Sequence, residues 1–285
     1  MPVSTWSITE PQKLAFEAPV TSLRVRIVGG AVNVVGTEEP AARLEISAID
    51  GPPLIVTQEE GVLTVTYEDL PWNGFLTLVG GKKWRRSAVV SLAVPTDAAV
   101  EVGVVTAGAV VSGIRGRTEV RSVNGDTALV ALAGPVRAET VSGSVEAQSV
   151  TGALRFHSVS GDLTVVEGAG ESVRGDSVSG DMTLDLGPAG KPTDIQLATV
   201  SGGLAIRLPH PADATVEANT TSGTVSNGFE DLRVSGRWGS KKITGTLGTG
   251  AGKLKATTIS GSIALLRRPP AEDEPRAAEP TGKML

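Results

Sequence analysis

An apolar residue, then Ser, Asn or Thr, then Gly recurs along this chain and leads each time into a run of alternating apolar and polar residues. It reads VNGDTAL at Val123, VSGSVEA at Val141, VSGDLTV at Val159 and VSGDMTL at Val178. It returns as VSGGLAI at Val200, TSGTVSN at Thr221, ITGTL at Ile243 and ISGSIAL at Ile259. The motif glycines, Gly125, Gly143, Gly161, Gly180, Gly202, Gly223, Gly245 and Gly261, are 18, 18, 19, 22, 21, 22 and 16 residues apart. A period near 20 residues signals one supersecondary unit stacked on itself. Such a stack is long and narrow, which suits a structural or binding protein better than an enzyme with a deep cleft.

The alternation inside each unit has period two, the signature of a strand with one buried face. It places Val141, Gly143, Val145 and Ala147 inward and Ser142, Ser144 and Glu146 outward, and likewise Val159, Gly161, Leu163 and Val165 inward. A second glycine series, Gly116, Gly134, Gly152 and Gly170, also steps by 18. Each coil therefore holds two strands, with glycine at the bends or close backbone approaches. The expected fold is all-β: a right-handed parallel β-solenoid of 18–22 residues per coil over residues 104–268. Eight coils would form a rod of about 40 Å at roughly 4.8 Å per strand. Residues 1–103 read as a β-rich cap over the open end, because an uncovered strand edge invites pairing with other chains. Residues 269–285, rich in Pro, Ala and Glu, are expected to be a disordered tail.

Composition narrows the chemistry. Aromatic residues make up only 3% of the 285 residues, so small side chains must fill a thin layered core. With no cysteine there is no disulfide, thiolate metal site or cysteine nucleophile. The N-terminal sequence lacks the basic and apolar regions of a signal peptide, and no apolar run reaches spanning length, so a cytoplasmic protein is expected. The net charge of −5 disfavours a nucleic-acid partner, although residues 228–268 hold 8 basic against 2 acidic groups.

The string of V-S-G-D-[LM]-T-[VL] units, with AVVSLAVPTDAAVEVGVVTAG (88–108), the run 123–208 and TLGTGAGKLKATTISGSIALLRR (246–268), resembles a bacterial β-strand-repeat family known as "putative adhesin". The resemblance implies a right-handed β-solenoid, a domain of unknown function and no catalytic residues. It implies an adhesin-like role, with many relatives exported or membrane-anchored; from the N-terminal sequence no such leader is expected here.

Asp126, Asp162 and Asp181 follow motif glycines and point outward, where stacked like charges could bind a cation. The GGxGxD calcium nonapeptide is absent, so a solvated polar column is the expectation. Ser142, Ser160, Ser179, Ser201, Ser222 and Ser260 form a second column without a G-x-S-x-G elbow. With only His157 and His210 available, a triad or a histidine metal cluster lacks material. GTGAGK (248–253) departs from the phosphate-loop pattern, with Leu247 and Leu254 where Gly and Ser or Thr belong.

The segment 67–86 gathers Tyr67, Trp72, Phe75 and Trp84 with Lys82, Lys83, Arg85 and Arg86. It can cap the stack or contact a partner, and Trp and Arg dominate interfaces. Trp72, Phe75, Lys82, Lys83, Trp84, Arg85 and Arg86 are therefore the candidate partner-binding residues. The sequence reads best as a non-enzymatic scaffold or binding protein without a cofactor, whose partner is an unknown protein, a glycan or another anionic surface. The alternative is a polysaccharide-processing enzyme on a β-helix, which would need wider coils and acidic and basic residues converging in a groove.

Overall fold

The computed structural model describes residues 4–68, 86–187, 193–237 and 239–269. In chain order its first strands are β1 (Ser4–Ile8), β2 (Gln12–Phe16), β3 (Ser22–Ile27), β4 (Gly29–Thr37), β5 (Ala42–Asp50), β6 (Leu54–Glu59), β7 (Val62–Tyr67) and β8 (Ser87–Pro95). The central strands are β9 (Ala99–Val104), β10 (Gly108–Ser112), β11 (Thr118–Ser122), β12 (Thr127–Val130), β13 (Val136–Thr140), β14 (Val145–Gln148), β15 (Leu154–Ser158), β16 (Leu163–Gly168), β17 (Ser172–Asp176), β18 (Met182–Leu186), β19 (Asp194–Thr199) and β20 (Leu204–Leu208). The last are β21 (Ala214–Thr220), β22 (Val225–Asn227), β23 (Leu232–Arg237), β24 (Ser240–Leu247), β25 (Gly252–Thr258) and β26 (Ile263–Arg267).

These strands form two sheets, of 14 and 12 strands, that face each other across one thin core. From β9 to β20 the chain alternates between them, odd-numbered strands in the first sheet and even-numbered in the second. Every neighbouring pair in this region is parallel, and each pair of strands makes one rung. The expected β-solenoid is therefore the observed architecture.

The inner positions hold Val, Leu and Ala. On the rung of β15 and β16, Leu154, Phe156, Leu163 and Val165 are all at most 1% exposed. Phe156 stands in register between Ala138 and Gly175, so a large side chain is flanked by two small ones. A Leu163→Asp substitution strands a charge in this layer and should cost about 4 kcal/mol. Ser160→Ala, which removes one exposed hydroxyl bonded to the Val141 carbonyl at 3.2 Å, should cost well under about 1 kcal/mol. Urea denaturation of the two variants checks this, and equal midpoints would contradict the assigned faces.

The stack does not follow chain order at its ends. The coil β3–β4 pairs in parallel with β9–β10 on one side and with β7–β8 on the other. Within residues 1–103, antiparallel pairing involves β1, β2, β5 and β6, the two outermost rungs. At the other end β25 and β26 slot between β19–β20 and β21–β22. The antiparallel strands β24 and β23 then extend the first sheet alone. Twelve rungs thus carry a strand in both sheets: four lie within residues 1–103, and eight, from β9–β10 to β21–β22, make up the rest of the stack.

One of the eight motifs is not a coil corner. Ile243–Gly245 lies inside antiparallel β24, because pairing with β21 and β23 keeps that segment extended. The tail expectation concerns residues that, beyond Pro269, lie outside those described.

Candidate binding surfaces

The motif builds the corner where the chain passes from the first sheet to the second. A Cβ on Gly143 would stand 2.2 Å from the Gly125 carbonyl oxygen, and one on Gly161 2.1 Å from that of Gly143. The glycines are thus required by close backbone stacking from rung to rung. The residue three positions before each glycine closes the corner from inside. Ser122, Thr140, Ser158, Ser177, Thr199, Thr220 and Thr258 each accept a hydrogen bond from the amide of the following motif glycine, at 2.7–3.2 Å. The working motif therefore has four residues, [ST]-x-[SNT]-G, and its first member is legible in the sequence once the units are aligned.

This inward hydroxyl interrupts the strict alternation and turns the next residue outward. Val159, expected inside, is 51% exposed, Val178 and Ile259 are similarly exposed, and Val141 is half-buried. The serine column is outward as expected. Each hydroxyl donates to a backbone carbonyl of the adjacent rung at 3.2–3.4 Å. The aspartates do similar work: Asp126, Asp162 and Asp181 accept the amides of Ser144, Asp181 and Gly203 at 3.0, 2.8 and 2.6 Å. These carboxylates tie rungs together. Among the described residues no group of three or more His, Cys, Asp or Glu is placed to hold a metal ion.

The glycine-rich loop at 248–251 also has an internal partner. Asp213 accepts from the Thr249 hydroxyl at 2.9 Å and from the Ala251 amide at 3.0 Å. These bonds hold its carboxyl below the ordinary range.

The two outer faces differ in character. The first sheet carries a charge ladder. In register along one column lie Glu101, Glu119, Arg137, Arg155, Arg174, Gln196, Lys255 and Glu217. The N-terminal part is internally compensated: Arg121 bonds Glu139 at 3.2 Å and also pairs with Glu119, while Arg137 bonds Glu139. Glu139 is partly desolvated, which alone would raise its pKa, but the guanidiniums of Arg137 and Arg121 outweigh this and hold it low. Arg155 and Arg174 are exposed neighbours on adjacent strands and have no ion pair among the described residues. Beside them His157 approaches Asp176 at 3.5 Å. Sequence reasoning missed this ladder. Its signal is the pair of charged or polar residues two apart in TEVRS, VRAET, LRFHS and VRGD.

The second sheet presents an uncharged field. Across β8, β4, β10 and β12 the outward residues are uncharged and, Asn33 apart, small or apolar, with Val35 and Val110 39% and 40% exposed. The low floor made by Ala31, Gly108 and Ala128 leaves an open hollow of 760 Å³, which Asp126 and Glu146 also line.

Six of the candidate partner-binding residues, Trp72, Phe75, Lys82, Lys83, Trp84 and Arg85, lie outside the described residues. Arg86 is described and is buried at 8% exposure, with its guanidinium 5.0 Å from the centre of the Tyr67 ring. It packs inward, a cation over an aromatic face.

Residues 55–266 match the family model described as Toastrack DUF4097, a domain of unknown function, and the match indicates no enzymatic family. No curated protein matches the chain. Three solved structures are similar. A "putative lipid binding protein" from Parabacteroides distasonis is 11% identical over 91% of this chain and 97% of that one, with a TM-score of 0.46. A "putative adhesin" from the same species is 13% identical over 93% and 97%, at 0.40. A "putative cell adhesion protein" from Clostridium sporogenes is 11% identical over 91% and 100%, at 0.25. No helix among the described residues is long and apolar enough to cross a membrane.

Proposed function

The chain belongs to the Toastrack DUF4097 family, and within it we propose that this member is a non-enzymatic binding scaffold that holds an extended acidic segment of a partner protein on the charged face of its first sheet. The observation that carries this reading is the adjacent, uncompensated pair Arg155 and Arg174 on β15 and β17. Like charges on neighbouring strands repel, and the rest of the ladder avoids that cost by pairing. A row of carboxylates laid across the rungs would relieve it. Lys255, one rung past Gln196, continues the strip. The loop residues Trp72, Phe75, Lys82, Lys83, Trp84 and Arg85 remain a second contact in this proposal. The cytoplasmic placement expected from the N-terminal sequence belongs to it as well.

The test is binding of fluorescent poly-glutamate to the native chain and to an R155S/R174S variant. The variant should melt as the parent does and bind at least about tenfold more weakly, with a shallower salt dependence because fewer charges are neutralised. Unchanged affinity and salt response would remove the strip from consideration. A heparin arm addresses the adhesin-like reading: binding of the sulfated glycan with no binding of poly-glutamate would replace the protein partner with a glycan.

A further inference from the structure

We propose that the uncharged outer face of the second sheet is a docking surface for a second copy of this chain, related by a two-fold axis that runs along the stack between the two faces. Two outward columns define the field. One holds Glu45, Ser91, Asn33, Val110, Ala128 and Glu146; the other holds Arg43, Ala93, Val35, Ser112, Val130 and Gln148. Four consecutive rungs in these columns carry no charge; charged residues return on the rungs at either side and, in the flanking third column, at Asp126 beside Ala128.

An axis along the stack keeps each rung opposite the same rung of the other copy and exchanges the columns. Arg43 then faces the second copy's Glu45, and Glu45 faces its Arg43. Glu146 faces the amide of Gln148, Val110 lies over Ser112, Val130 over Ala128 and Val35 over Asn33. The other two-fold axis lying between the faces, along the strands, would set Glu45 against Glu146, two like charges. The charge pattern therefore favours the axis along the stack over one along the strands.

The area is sufficient. Eight rungs, from β2 to β16, at about 4.8 Å each, and three outward positions at about 6.8 Å give roughly 38 Å by 20 Å. That is close to the roughly 800 Å² per partner of a standard interface. Lys13 sits at the border and pairs with Glu45 within its own chain at 3.1 Å. In this arrangement both charged faces of the first sheets point away from the contact, so the docking does not depend on the acidic-partner reading.

Sedimentation equilibrium of the full chain tests the proposal. The native protein should dimerise in the micromolar range. V110D, R43E and E45R should each raise the dimer dissociation constant at least tenfold while melting close to the parent, since all three side chains point to solvent. Arg43 also bonds Glu39 at 2.7 Å, so a single variant could act within its own chain. Mixing R43E with E45R removes that ambiguity. In the mixed pair every facing contact is again between opposite charges, and heterodimers should form where neither variant alone dimerises. A native chain that stays monomeric at about 100 µM, a V110D variant that still dimerises, or a mixture that stays monomeric would each overturn the proposal.

Discussion

Gly161→Ala should cost about 3 kcal/mol or more, a loss that a single added methyl group produces only where backbone cannot yield. The new Cβ would lie 2.1 Å from the Gly143 carbonyl oxygen and 2.8 Å from the Thr140 methyl carbon. The carbonyl is fixed from both sides, because Gly143 itself packs on Gly125 in the same way. Relief would require parting two rungs, which breaks the ladder between β14 and β16. Gly108→Ala is the control. Its Cβ would meet nothing closer than the Asp126 carbonyl oxygen at 3.9 Å. That variant should be neutral or slightly more stable, since alanine has fewer unfolded conformations to lose. Thermal melting followed by circular dichroism separates the two, and similar melting temperatures would disprove the stacking argument.

A chain that stops after Thr249 should lose order well upstream of the cut. In a stack that followed chain order, removing β25 and β26 would strip only the last coil. Here those strands lie between β20 and β22 in one sheet and between β19 and β21 in the other. Without them β22 loses its ladder partner, and β21 keeps only β24. Hydrogen exchange at Val216 and Ala218 should accelerate by at least about a hundredfold, while residues 118–168 keep their protection. If residues 214–227 stay as protected as in the full chain, β21 and β22 have settled onto β19 and β20, and the closing role of the final coil is refuted.

The coil, its two strands and the stacking glycines were legible in the sequence because each depends on local spacing. A period-two run after a glycine every 18 residues leaves little choice of architecture. What the sequence hid depends on partners from elsewhere in the chain. TTISGSIAL at 257–265 has the same local pattern as TVSGGLAI at 199–206, and nothing in either says which rung it will occupy. ITGTL at 243–247 keeps the motif letters but sits between two antiparallel strands, which hold it straight. Val159 was misplaced because strict alternation ignores the inward hydroxyl of Ser158, whose bond to the Gly161 amide takes the interior position. The aspartates read as a charge column, and their amide partners emerge only when successive rungs are superposed. Of the loop 67–86, the described Arg86 turned inward over Tyr67 because the ring offers a buried cation a favourable face.

The interposed coils at both ends also make the middle of the molecule a ruler. Rungs β11–β12, β13–β14 and β15–β16 repeat at a step of 18 residues with matching register and the same corner chemistry. Neither terminal closure touches them. The separation between the antiparallel N-terminal rungs and the β23–β24 overhang is therefore set in increments of about 4.8 Å per repeat. Duplication or deletion of a whole repeat would lengthen or shorten the span and carry both closures along intact. Loss of a few residues would break the glycine columns instead. A lineage of such chains can vary its reach only in whole notches, and whatever the two ends hold is kept at a quantised distance.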